Sequence, residues 1–196
     1  MSLSTNEQYL IRMLQRIADG SVGASTMRNM GPAGTIKVVR EFLRKPGLLQ
    51  SFASVTSRDT FEALLEKQTN ILKKKLPGGS RYRKENYLGE WGERWGVARK
   101  CLNIFLYECV LNQCLREAHK GISKLEPWLE VPLDSYVGKG LNHEDTLDEI
   151  PAWGSVISLD KNQSRKYQDF AAKLAASENV ARVHLDLKFY TDRGEE

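Results

Sequence analysis

The sequence of 196 residues lacks the features that direct a chain into or across a membrane. No apolar run approaches the roughly 18 residues that a membrane-spanning helix needs, and no charged segment followed by an apolar one opens the chain. We therefore expect a cytoplasmic protein. A chain of this length buries roughly 70% of its unfolded surface on folding, so we expect a single domain with its own core.

Cysteine is scarce, and the three present are Cys101, Cys109 and Cys114. All three fall within one predicted helix, where a spacing of eight residues corresponds to a rise of roughly 12 Å, too far for a disulfide. The spacings also differ from the paired cysteines of zinc sites and iron–sulfur clusters. We expect buried, reduced thiols, and neither a metal site nor a cofactor.

Basic residues are concentrated in the segment 73–100. It holds nine basic and three acidic residues, a local net charge of +6 against +4 for the whole chain. Four aromatic residues are interleaved with these charges, namely Tyr82, Tyr87, Trp91 and Trp95. The pattern favours a phosphate-binding surface, although solvated charges on exposed loops give the same pattern.

Apolar residues recur at helical spacing through most of the chain, which predicts a mostly α-helical fold. The predicted helices cover about residues 5–19, 35–44, 58–75, 97–117, 135–141 and 164–176. The exception is residues 182–189, where polar and apolar residues alternate as in a half-exposed strand. We expect a short extended segment there, with a single helical turn as the alternative. A metal-binding or acid–base role for His184 and Asp186 is not favoured.

The helix predicted over about 97–117 is too apolar to lie on a surface, and a tight basic turn containing Gly96 leads into it. On a helical projection, its polar residues Arg99, Lys100, Asn103 and Tyr107 fall on one side. A lysine in that position either extends its amine to solvent or lines a cleft.

A second informative segment is residues 131–137, VPLDSYV. The residue before proline avoids the helical region, so the chain is extended until Asp134 or Ser135 caps a new helix. A role as N-cap would by itself account for Asp134.

Together, residues 96–103 (GVARKCLN) and 131–137 resemble the helix-hairpin-helix DNA glycosylases. In that family a turn of the type PGVGRKTAN leads into a buried helix that begins with the catalytic lysine, and a VDTHV signature carries the catalytic aspartate. The 34 residues between Lys100 and Asp134 are similar to the spacing in the archaeal oxoguanine glycosylase branch. The resemblance covers residues 91–141, about a quarter of the chain.

The resemblance implies a mostly α-helical glycosylase-like domain over residues 1–196. Two lobes would close around the cleft, one of about residues 21–118 and the other of 1–20 plus 119–196. Lys100 would attack C1′ of a flipped, damaged nucleotide in duplex DNA, and Asp134 would take the proton of the amine or stabilise the charge on the sugar. A Schiff base would follow, and with it strand cleavage by β-elimination.

The resemblance and the basic segment also imply positions for the remaining site residues. The expected DNA-binding residues are Arg81, Arg83, Lys84, Arg94, Trp95, Gly96, Val97, Ala98 and Arg99. The expected residues of a base pocket are Trp91, Asn103, Tyr107 and Trp128, each of which is also a candidate for the core.

This chain departs from the family pattern in the hairpin. Arg94 and Trp95 stand where the family has leucine and proline, and Ala98 replaces a glycine that lets backbone N–H groups approach a phosphate. Two other classes of function stay open: a non-catalytic nucleic-acid-binding protein on the same scaffold, and an interaction protein of a mobile or defence element.

Overall fold

A computed structural model describes residues 4–77 and 94–191 of the chain. These residues form helices and turns with no β-strand among them, which confirms the predicted mostly α-helical fold. The α-helices are α1 (Thr5–Ser21), α2 (Thr35–Leu43), α3 (Pro46–Ala53), α4 (Arg58–Lys75), α5 (Trp95–Leu111), α6 (Gln113–Ala118), α7 (Ser135–Glu144), α8 (Lys161–Ser177) and α9 (Leu185–Thr191). Two 3-10 helices, Ser123–Trp128 and Arg182–His184, connect them. Within the described ranges, no helix has the length and apolarity needed to cross a membrane.

Short polar side chains determine where α1, α4 and α8 begin. The side chains of Ser4, Ser57 and Asp160 each accept a hydrogen bond from the backbone of the first turn, and the side chain of the third residue of each helix accepts one from the backbone N–H of the cap residue. This capping box satisfies donors that the helix itself leaves free. Helix α8 therefore begins at Lys161, three residues before the predicted start.

Two hydrophobic clusters organise the packing. The larger one surrounds α5 and includes Leu14 and Ala18 of α1, while the smaller one is formed by residues between Val131 and Phe189. Helix α1 thus packs on the central helix and not with the C-terminal segment. The predicted division into lobes of 21–118 and 1–20 plus 119–196 does not describe this packing.

The strand predicted over residues 182–189 was wrong. The chain forms the 3-10 turn Arg182–His184 and then α9. In a helix, Leu185 and Phe189 lie four residues apart on one face and are buried, whereas Leu187 points outward and is exposed. The buried Arg182 guanidinium donates to the carbonyl oxygens of Leu129 and Trp128 and anchors this end of the chain on the core.

The central helix is interrupted, which changes the environment of one cysteine. Asn112 ends α5, and its side chain caps α6 by accepting a hydrogen bond from the backbone N–H of Leu115. Cys101 and Cys109 are buried in α5, but Cys114 lies on α6 and is exposed, contrary to the expectation of three buried thiols. Burial raises the pKa of Cys101 to about 12 and also raises that of Cys109, so neither thiol is reactive at neutral pH.

Gly121 allows two backbone segments to approach closely. A Cβ atom at this position would lie 1.8 Å from the carbonyl oxygen of Ala53, an atom that no side-chain rotation can move away. We expect Gly121→Ala to lower the free energy of unfolding by about 2–3 kcal/mol, as overpacking of a fixed neighbour does. Urea denaturation followed by circular dichroism measures this difference.

Gly20→Ala is the matched control for this substitution. Gly20 lies within α1, and a Cβ atom at this position would have no neighbouring atom within 4 Å. Alanine should therefore raise the free energy of unfolding by about 0.5–1 kcal/mol, because it reduces the entropy of the unfolded chain. Equal effects of the two substitutions would contradict the close approach at Gly121.

Candidate active site

The structure brings Lys100 and Asp134 together from separate helices. Lys100 lies in the second turn of α5, and Asp134 is the N-cap of α7. The distance between Lys100 Nζ and Asp134 Oδ2 is 3.7 Å, and the side chains are 5% and 19% exposed, respectively. The ammonium also donates to the carbonyl oxygen of Thr26, at 3.2 Å. An amine and a carboxylate thus form an ion pair that is largely shielded from water.

The backbone of α7 orients the carboxylate. Asp134 Oδ1 accepts hydrogen bonds from the N–H groups of Tyr136 and Val137, at 2.9 and 3.1 Å. The positive end of the helix dipole also favours a negative charge at this position. With Oδ1 engaged by the cap, Oδ2 is the oxygen that faces Lys100. Asp134 therefore serves as a helix cap and a lysine partner at the same time.

Gly96 places the other wall of the site against α5. Its N–H donates to the carbonyl oxygen of Leu159 at 3.1 Å, and a Cβ atom at this position would lie 2.3 Å from the carbonyl oxygen of Val156. The absence of a side chain therefore lets the chain before α8 pack directly on the first turn of α5. This close packing explains why residue 96 is a glycine, a residue expected from the sequence to form part of a phosphate-binding turn.

Arg99 lies beside the pair, and acidic groups balance its charge. Its Nη2 atom is 3.2 Å from Glu66 Oε2, its Nε atom is 3.2 Å from Glu130 Oε2, and Nη1 donates to Thr69 Oγ1. The Nε contact with Glu130 is an ion pair without hydrogen-bond alignment. The guanidinium carbon lies 4.6 Å from the ring centre of Trp95, a cation–π geometry. Arg99 is thus held within the protein and directed away from solvent.

A narrow crevice adjoins the lysine. It has no room for a water-sized sphere, whereas ligand pockets usually have volumes of about 300–1,000 Å³. Helix α5 forms one wall of the crevice. The other wall is formed by α8 together with Leu133 and Leu159 of the smaller hydrophobic cluster. The lining residues are Gly96, Arg99, Lys100, Asn103, Leu133, Leu159, Ser164 and Gln168. A nucleotide would bind there only after the two walls separate.

The expected hairpin residues do not form a surface turn. Helix α5 begins at Trp95, two residues before the predicted start, and the side chains of residues 95–99 are buried. Arg94 adopts a left-handed backbone conformation, and its guanidinium donates to the carbonyl oxygens of Leu76 and Pro77. Residues 94–99 therefore belong to the packed interior of the protein, because the apolar environment of Lys100 continues back to the first turn of α5. Arg81, Arg83, Lys84 and Trp91 lie outside the described residues.

The residues expected in a base pocket are separated by the fold. Asn103 lines the crevice and donates to Glu130 Oε2 at 3.0 Å.

Tyr107 and Trp128 lie elsewhere. The Tyr107 hydroxyl is 3.2 Å from Nδ1 of His184, and burial raises the pKa of this tyrosine. Trp128 packs near Phe61, with 6.3 Å between ring centroids. Neither ring lines the crevice, because Tyr107 faces His184 and Trp128 faces Phe61 of α4.

Several residues of the site were not predicted from the sequence. Ser164 and Gln168 lie on the buried face of α8, where polar side chains at a spacing of four are a recognisable signal. Glu130 precedes the VPLDSYV segment directly. The contribution of Thr26 is a backbone carbonyl, for which the sequence carries no signal.

Comparisons with known proteins give no assignment. No protein-family model matches the chain. No curated protein matches it, and no solved structure matches it. In residues 4–77 and 94–191, no group of three or more histidine, cysteine, aspartate or glutamate side chains is placed to hold a metal ion. The functional argument therefore depends on the geometry around Lys100.

Proposed function

We propose that the protein is a DNA glycosylase with AP-lyase activity, in which Lys100 is the nucleophile and Asp134 the proton acceptor. The observation that carries the proposal is the 3.7 Å distance between Lys100 Nζ and Asp134 Oδ2 in a largely buried environment. The lysine on an apolar helix and the aspartate at a helix N-terminus also occur in the order found in the glycosylase motifs they resemble.

The chemistry requires a neutral amine near the sugar. The Lys100 ammonium first transfers a proton to Asp134, the carboxylate closest to it. The amine then forms a bond to C1′ while the bond between C1′ and the base breaks, and the base leaves with the bonding electrons and takes the proton that Asp134 received from Lys100. The secondary ammonium returns a proton to Asp134, and Asp134 protonates O4′ as the C1′–O4′ bond breaks, which opens the sugar ring and yields a protonated Schiff base between Lys100 and C1′. Loss of a C2′ proton then expels the 3′ phosphate by β-elimination.

Two ion pairs hold the crevice closed and mark where it would open. Lys100 with Asp134, and Arg99 with Glu130, join α5 to the segment that leads into α7. A flipped nucleotide introduces phosphates that compete with these carboxylates for the cations, since a charge-assisted bond to phosphate is of similar strength. The basic residues of the segment 73–84 would bind the duplex alongside.

A non-catalytic nucleic-acid-binding protein is the second candidate, and the small volume of the crevice favours it. In that case Lys100 and Asp134 would only be a structural ion pair. Such a protein would bind duplex DNA with an affinity that falls as salt increases, but it would form no covalent intermediate.

Borohydride trapping tests the proposal. The full-length protein is incubated with a duplex containing one abasic site, with sodium borohydride or with sodium chloride as the control. We expect a covalent adduct in borohydride alone, because reduction fixes the Schiff base, and mass spectrometry of its peptides should place the modification on Lys100. Salt-dependent binding without an adduct would support the non-catalytic alternative, and an adduct on another lysine would contradict the proposed site.

A further inference from the structure

A second cavity, which we call the α1 groove, is lined by one face of α1 and by Glu108 and Asn112 at the end of α5. Its volume is about 670 Å³, within the range of roughly 300–1,000 Å³ that is usual for ligand pockets. It shares no lining residue with the crevice. Glu108 follows Lys100 by eight residues in α5, a helix rise of roughly 12 Å. The α1 groove is therefore separate from the site proposed around Lys100.

Two arginines of the α1 groove have no partner in the protein. Arg12 and Arg16 lie four residues apart on α1, so their side chains are neighbours on the helix surface. Within residues 4–77 and 94–191, neither guanidinium has a hydrogen-bond or ion-pair partner, whereas Arg44 and Arg99 are both paired with carboxylates. Like charges at this spacing oppose helix formation. Together the two guanidiniums carry the charge that a phosphate monoester dianion would balance, and each can bind its oxygens through paired hydrogen bonds.

The wall from α5 adds an acceptor and a donor. Among the described residues, Glu108 forms no ion pair with Arg12 or Arg16, and its side chain is exposed. The side-chain oxygen of Asn112 caps α6, so its amide nitrogen remains available as a donor to the groove. A carboxylate repels a bare anion but accepts hydrogen bonds from a hydroxyl or amino group. This wall therefore favours a ligand that carries a donor group at some distance from its phosphate.

An apolar strip accompanies the arginines along α1. Tyr9, Met13 and Ile17 recur every four residues and all line the groove. Met13 and Ile17 pack against the larger hydrophobic cluster, while the Tyr9 side chain is 60% exposed. An aromatic ring and a thioether both form favourable contacts with a flat ring system. The strip therefore offers a surface for the apolar body of a ligand beside its anionic end.

We propose that the α1 groove binds a nucleoside monophosphate. The phosphate contacts Arg12 and Arg16, the base packs against Tyr9 and Met13, and a hydroxyl or amino group donates to Glu108. A ligand of this class supplies the anion, the flat ring and the distant donor that the three parts of the groove require. The inference does not depend on the proposed function, because no residue of the crevice takes part.

Isothermal titration calorimetry of the full-length protein tests this inference, with AMP, adenosine and inorganic phosphate as probes. We expect AMP to bind at one site per chain. Adenosine lacks the anion and inorganic phosphate lacks the ring and the donor, so each should bind at least about tenfold more weakly. The double variant Arg12→Gln, Arg16→Gln should also bind AMP at least about tenfold more weakly, because it loses the charge-assisted hydrogen bonds to the phosphate.

The double variant Arg28→Gln, Arg116→Gln is the matched control, since it removes the same amount of charge. Both residues are exposed, neither lines the groove, and neither has a partner in the part of the chain that the structure describes. This control should bind AMP as tightly as the parent. Urea denaturation should give the variant of Arg12 and Arg16 at least the stability of the parent, because no contact within the described residues is lost.

Glu108→Gln tests the donor end of the ligand. The substitution removes a repulsion that acts on both AMP and inorganic phosphate, but only AMP loses a charge-assisted hydrogen bond. The ratio of the AMP affinity to the phosphate affinity should therefore fall several-fold. An unchanged ratio would overturn the inference, as would absence of AMP binding by the parent, phosphate binding as tight as that of AMP, or an equal loss of affinity in the control double variant. No nucleic acid enters this assay, so its failure is distinct from a failure of borohydride trapping.

Discussion

Lys100→Gln should lose the covalent adduct with abasic DNA, with a fall in its rate of formation of at least about 10³, because an amide is no nucleophile. Glutamine can still donate to the Thr26 carbonyl, so the local packing is retained. Asp134 loses its cation but keeps two backbone N–H donors and some contact with solvent. We therefore expect a loss of about 1–2 kcal/mol in the free energy of unfolding. Denaturant titration of the variant establishes that the loss of adduct does not come from unfolding.

Lys161→Gln is the matched control for this variant. Lys161 is also close to the site and forms an ion pair with Glu66, but its side chain is 62% exposed and it does not line the crevice. It should form the adduct at the rate of the parent. Full adduct formation by Lys100→Gln would end the assignment of the nucleophile.

Asp134→Asn should reduce the rate of adduct formation by about 10²-fold or more and leave the fold intact. A lost general base typically costs 10²–10⁴ in rate. The amide oxygen of asparagine can still cap α7 by accepting from Tyr136 and Val137, and asparagine is as good an N-cap as aspartate. The substitution therefore removes the proton acceptor while the cap remains. Adduct kinetics and urea denaturation measure the two effects separately.

Asp160→Asn provides the comparison at a second helix. Asp160 caps α8 in the same way, accepting from the backbone N–H of Gln163, but it does not line the crevice. Asp160→Asn should unfold at nearly the same urea concentration as the parent and retain the parental rate of adduct formation, whereas Asp134→Asn should unfold at a lower concentration because the buried Lys100 cation loses its ion-pair partner. Similar rates for the two variants would show that Asp134 is a structural cap alone.

The contrast between α5 and α9 shows how far the periodicity of the sequence could predict this fold. The apolar pattern of α5 repeats over several turns, so its helical state and the shared strip of Lys100 and Asn103 followed from local sequence. In α9 the alternating residues span only eight positions, a length that fits one strand or two helical turns. Packing on the core determines that the segment is a helix and not a strand, because a helix places Leu185 and Phe189 on one face, where both are buried.

The candidate site illustrates the same division. The types and order of Lys100 and Asp134, and the capping of α7 by Asp134, were predictable because capping is a local interaction. The sequence did not predict the crevice, the acidic partners of Arg99 or the position of Ser164. These features depend on contacts between residues that are 27 to 74 positions apart in the chain. The phosphate-binding role of the turn at Gly96 stays a prediction, and the structure gives this glycine a packing role, because a Cβ atom there would meet Val156 and Leu159.

The sequence by itself determined the mostly helical fold and a helix N-cap at Asp134 or Ser135, because hydrophobic periodicity and capping act over a few residues. Only the tertiary structure decided that the amine of Lys100 is 3.7 Å from Asp134, that Arg94–Arg99 are buried, and that the crevice is narrow. The physical reason is that the position of α5 relative to α7 and α8 depends on the packing of two separate hydrophobic cores. No short stretch of sequence specifies how such cores meet.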